Sequence, residues 1–115
     1  MLHTLSIWLV VVAFFGAGLF NAIGTAATQS GFVRWGYPRW WCRVTGGLEI
    51  AVAALIAVPV TLEAGLVLGA AIIAAAALTV LRHREFPHLA PLALFAALLA
   101  LAAATSSMVG TFPAL

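Results

Sequence analysis

FVRWGYPRWWCRVTGGLEI, residues 32–50, gathers three of the chain's five arginines, three of its four tryptophans and a glutamate into one short stretch. Its first half reads as a connection, because Gly36 and Pro38 interrupt any regular pattern. From about Trp40 onward it becomes an apolar run interrupted by Glu49. Charges and aromatic rings collected between two greasy segments could mark a reaction centre, a nucleic-acid grip or a membrane boundary. The rest of the chain decides among these.

Of the 115 residues, 65% are hydrophobic and 7% charged, whereas a soluble domain carries roughly one quarter charged residues. Such a chain lacks the polar side chains needed to cover a core, so lipid must do it. The expectation is one integral membrane domain over residues 1–115. The net charge of +2 comes from arginine without lysine. That is too little for a nucleic-acid surface, but enough to orient a membrane protein.

Four apolar segments follow in order, at about residues 5–27, 40–58, 62–81 and 91–108. The first is longer than a signal-peptide core, so it is expected to stay as a membrane helix. It closes in Thr28-Gln29-Ser30-Gly31, read as a helix stop. Pro59 ends the second, and Pro91 suits the first position of the fourth. No segment alternates with period two, which excludes a barrel. The predicted class is therefore an all-α membrane protein, a bundle of four transmembrane helices.

Four spans place Arg34, Arg39 and Arg43 on the same side as Arg82 and Arg84. Short basic connections stay in the cytoplasm, which predicts a plasma (inner) membrane protein with both termini outside and both arginine loops inside. Arg34, Trp35, Tyr37, Arg39, Trp40, Trp41 and Arg43 are then read as interfacial anchors, with rings at headgroup level and guanidinium groups snorkelling to phosphates. Trp8 would mark the opposite interface.

Glu49 does not fit an anchoring role. It lies six residues beyond Arg43, roughly 9 Å deeper at helical rise, where a lipid-facing carboxylate costs a few kcal/mol. Asn21, counted back from Ala27, falls at a similar depth, so the two are expected to meet. Gly46, three positions before Glu49, would let a neighbouring helix approach closely. Glu49, Asn21 and Gly46 are thus the predicted polar core or ligand-binding residues.

Other chemistry is sparse. Cys42 is alone, so the chain builds no internal disulfide and no Cys-x-x-Cys pair. His83 and His88 lack metal-ligand spacing on one helix face, and no metal site is predicted. Thr105, Ser106 and Ser107 read as a cap or frayed end of the last helix. No phosphate loop, nucleophile elbow or catalytic carboxylate pair is present.

The order of an apolar helix, a connection with Phe32 and Gly36-Tyr37-Pro38, and Gly46-Gly47-Leu48-Glu49 opening a second apolar helix resembles the DoxX-like membrane proteins, as does His83 after the third helix. Members often carry a basic residue late in the first helix, where this chain has Asn21. The resemblance implies a four-helix layout and a membrane subunit or accessory of a redox system, including a quinone-linked thiosulfate-oxidising enzyme. The layout is also similar to that of sterol-binding four-helix membrane proteins. The leading expectation is a non-catalytic accessory subunit of a membrane complex, with partner subunits or further copies of itself. The second is a self-contained binder of a small apolar molecule, and the third a small transporter acting as an oligomer. No cofactor is predicted, and the molecules a bundle pocket would take are a quinone, an isoprenoid or a lipid.

Overall fold

The computed structural model describes the backbone of residues 1–111 and the side chains of residues 1–106. Those residues form five α-helices: α1 (Leu2–Ile23), α2 (Ala26–Arg34), α3 (Trp41–Ala57), α4 (Leu62–Arg82) and α5 (Leu89–Thr111). Two 3-10 turns, Pro59–Thr61 and Phe86–His88, lead into α4 and α5.

Local chemistry explains the breaks. α1 ends at Ile23, because Gly24 takes a left-handed conformation with φ 65°, a position glycine fills without steric cost. The expected continuation to Ala27 is therefore corrected. Thr25 caps a new helix by accepting the amide of Thr28, so Thr28-Gln29-Ser30-Gly31 lies inside α2 rather than stopping α1. α3 stops at Ala57 because Pro59 forces Val58 into extended backbone. The Thr61 hydroxyl then ties the turn back by donating to the Leu55 carbonyl at 2.7 Å. Pro91 is the third residue of α5 rather than its first, still within the turn whose amides have no helical partner.

The long helices form a ring in which α1 packs on α3, α3 on α4, α4 on α5, and α5 back on α1. Neighbours run antiparallel: Gly24 lies beside Cys42 and Gly18 beside Ile50, while Phe14 meets Phe95 edge-on at 5.4 Å. α1 and α3 approach most closely at two glycines. A Cβ on Gly18 would sit 2.7 Å from the Gly46 carbonyl, and one on Gly46 would sit 2.5 Å from the Gly18 carbonyl. Small residues at such crossings let helix backbones touch.

The core fills the half of the bundle that holds the N-terminus. Ile7, Val10 and Phe14 of α1 meet Val52, Ala53 and Ile56 of α3 and Leu99 and Ala102 of α5, and Gly69 of α4 admits Phe14, Val52 and Leu99. At that end Ser6 and Thr105 are buried and hydrogen-bonded to each other at 3.0 Å, and His3 reaches Thr105 at 3.1 Å. Thr105 is thus a contact between α1 and α5 rather than a frayed end, since α5 runs on to Thr111. The side chain of Ser107 lies outside the described residues.

The outer surface is apolar. Trp8, Val12, Phe15 and Leu19 on α1, Val67 and Leu78 on α4, and Leu94 on α5 are all exposed. Water would not tolerate that much contiguous apolar surface, but acyl chains do. Three segments are long and apolar enough to cross a membrane: Leu2–Ile23, Pro59–Arg82 and Phe86–Ser106. α3, with 17 residues, is shorter and carries Arg43 and Glu49.

Candidate functional site

The half of the bundle away from the core holds open space. Thr45 on α3 and Ala76 on α4 border two adjoining cavities of about 320 and 440 Å³. Phe95 and Ile72 are shared walls, and Phe14 closes the floor of the larger one. α2 lies across the larger cavity, contributing Ala27, Thr28, Gly31 and Phe32 to its wall. The smaller cavity is aromatic, bounded by Trp35, Tyr37 and Trp41 together with His88.

The larger cavity holds the bundle's interior polar pair. Asn21 Nδ2 donates to Glu49 Oε1 at 2.6 Å, and Glu49 is buried. The contact forms although α1 ends four residues earlier than the sequence suggests, since the Gly18–Gly46 crossing draws α1 against α3 one turn from Glu49. No side-chain hydrogen bond among the described residues uses Glu49 Oε2 or Asn21 Oδ1. Ser106 Oγ is the one sealed polar side-chain atom without a partner among the described residues. Both residues of the pair line the cavity. Thr45, one helical turn before Glu49, also lines this space.

A second polar group closes the rim. Glu85, in the α4–α5 connection, accepts from Arg34 at 2.7 Å and from the indole N–H of Trp35, with His88 Nε2 at 3.8 Å. The Trp35 N–H first, and then Arg34, hold the Glu85 carboxyl below its ordinary value. Tyr37 adds a hydroxyl contact to Thr79 of α4 at 2.9 Å. These contacts bring the two arginine-bearing connections to the same end of the bundle.

Glu49, Asn21 and Gly46 converge as one cluster. Trp35, Tyr37 and Trp41 are half-buried and turned toward the cavities, whereas Arg34, Arg39, Trp40 and Arg43 are exposed. His83 contacts the Thr79 carbonyl at 2.9 Å, while His88 belongs to the Glu85 group. Among the described residues no three His, Cys, Asp or Glu side chains converge as metal ligands. Glu85, expected from the sequence to pair with the cap formed by Arg82, His83 and Arg84, takes Arg34 instead, and sequence reasoning missed Thr45 and the placing of α2 along the cavity. Thr45 was detectable as the position four before Glu49.

No curated protein and no solved structure matches the chain significantly. A family model does match, over residues 4–105, and so takes in α1 to α4 and most of α5, including the Asn21–Glu49 pair and Glu85. An apolar exterior, three helices of membrane length and this near-complete match place the chain in the DoxX-like family of membrane proteins.

Proposed function

We propose that this DoxX-like protein crosses the inner membrane four times and holds a small, largely apolar molecule in the cavities beneath α2. The observation that carries this reading is Glu49, whose Oε2 has no side-chain hydrogen-bond partner among the described residues, in the wall of a cavity of about 440 Å³ with aromatic and aliphatic sides. Ligand sites commonly occupy roughly 300–1,000 Å³ and combine apolar walls with a few polar groups that fix orientation. A quinone, an isoprenoid or a lipid has suitable bulk, and the Glu85 contacts with Arg34 and Trp35 make α2 a closable cover.

The fourth span in this reading is α3. At 1.5 Å per residue its 17 residues extend about 26 Å, and its apolar length lies between α1 and α4. With α3 crossing, all five arginines face the cytoplasm and the termini face outward, as the charge rule for short loops requires.

Native mass spectrometry of the full chain released from its own membrane tests the binding reading. Wild type is expected to retain a small molecule that Ala76→Phe, which fills the wall shared by both cavities, loses while keeping its thermal stability. An empty wild type, or equal retention by both proteins, would reject the cavity as a binding site.

A second reading, an accessory subunit of a redox or other membrane complex, is favoured by a separate observation. Ala70, Ala71 and Ala74 on α4 and Ala93, Ala96, Ala97 and Ala100 on α5 are exposed, a smooth surface on which partner helices could pack closely. A protein that co-purifies in gentle detergent and is lost on Ala71→Trp or Ala97→Trp would support it. Recovery of a lone chain from native lipid would count against it.

A further inference from the structure

We infer that the larger cavity selects lipophilic organic cations, with Glu49 as the group that recognises the charge. This rests on the ligand-binding reading above and adds the chemical class of the occupant. Glu49 is 8% exposed and bonded to a neutral amide alone. Each ion pair among the described residues belongs to Glu85. A carboxylate taken out of water is costly unless it takes up a proton or a cation pairs with it, and none of the protein's own cations pairs with Glu49.

The residues that line the cavity with Glu49 support this. α1 contributes the neutral Asn21, together with Phe14 and Phe20. α4 contributes Ile72, Ile73 and Ala76, and α5 contributes Leu92 and Phe95. From α2 comes Arg34, whose guanidinium is held at the rim by Glu85, and His88 stands beside the same carboxylate. Arg39, Arg43, Arg82 and Arg84 do not border the cavity. The walls carry several aromatic side chains, Phe14, Phe20, Phe32 and Phe95, besides Trp35, whose ring lies under the Arg34 guanidinium. Aromatic faces attract ammonium groups, most strongly where water is excluded. Acidic amphiphiles meet the opposite condition, a like charge without a donor cation at depth.

The test is a titration of the purified full-length protein with three probes of similar girth, followed by tryptophan fluorescence and thermal shift. Benzyltrimethylammonium is the cation, neopentylbenzene its uncharged carbon isostere, and benzenesulfonate the anion. The cation is expected to bind wild type on the order of tenfold or more tightly than either other probe, the scale of one desolvated charge pair. Glu49→Gln should erase that preference. Equal binding of all three by wild type, or a preference for the anion, would overturn the cation assignment and leave the cavity as a neutral ligand site. Failure of every probe to bind wild type would remove the ligand-binding reading as well. The wild-type comparison stands even if the variant does not fold.

Discussion

Arg34 and Glu85 pair at 2.7 Å although 51 positions separate them in the chain. The same carboxylate accepts the Trp35 indole N–H, so the last turn of α2 is fastened to the connection between α4 and α5. This contact joins the two basic connections and holds the cover over the cavities.

The fastening gives a pH dependence whose sign is defined. Glu85 has its folded value depressed, chiefly by the Trp35 N–H and then by Arg34. Its contribution is complete above the unfolded carboxylate value of about 4.3 and is lost as pH falls through the depressed folded value. Amide exchange in α2 is expected to accelerate over that acid window in wild type. Glu85→Gln should show fast exchange at neutral pH and no step on acidification. An identical acid step in the variant would assign the transition to another group.

Gly46 and Gly47 adjoin in sequence but should respond oppositely to alanine. A Cβ on Gly46 meets the backbone of Gly18 and Ala22, which cannot swing aside, whereas one on Gly47 meets nothing within 4 Å. Gly46→Ala is expected to destabilise by about 1–3 kcal/mol, the usual cost of overpacking. Gly47→Ala should be neutral or stabilising by up to about 1 kcal/mol, from helix propensity. Denaturation in mixed micelles compares the two directly, and similar losses would mean that the α1–α3 crossing is looser than described.

Asn21 and Glu49 should couple energetically. Asn21→Ala, Glu49→Ala and the double variant form a cycle whose interaction term is expected at about 0.5–2 kcal/mol, the range for hydrogen bonds between membrane helices. Glu49→Gln keeps an acceptor for the Asn21 amide and should retain most of the stability. A coupling of zero would separate the pair.

The proposed four-span arrangement predicts which positions share a compartment. Cys42 is fully buried, so single cysteines introduced elsewhere can be read against a low background. Arg39→Cys and Arg84→Cys should react with an impermeant maleimide only after the inner membrane is opened. Val60→Cys, at a residue 93% exposed in the turn before α4, should react in intact cells. Labelling of positions 39 and 84 from opposite sides would exclude the crossing of α3.

Composition and periodicity were enough to set the helical class, the lipid-facing character and the rough extent of each apolar segment, because those properties depend on residues close together along one helix. Glu49 stood out for the same reason, as a charge within an apolar run. The end of α1 was not legible: Thr28-Gln29-Ser30-Gly31 carries hydroxyls and a glycine that can stop one helix or lie within the next, and the left-handed turn at Gly24 settles which. The cavities could not be read either, since residues such as Thr45 and Ala76 line them from different helices. The grip of Glu85 on Arg34 and Trp35 likewise required the folded chain. Spacing of 51 residues carries no local periodic signal, and antiparallel packing of the bundle is what brings those groups within hydrogen-bonding reach.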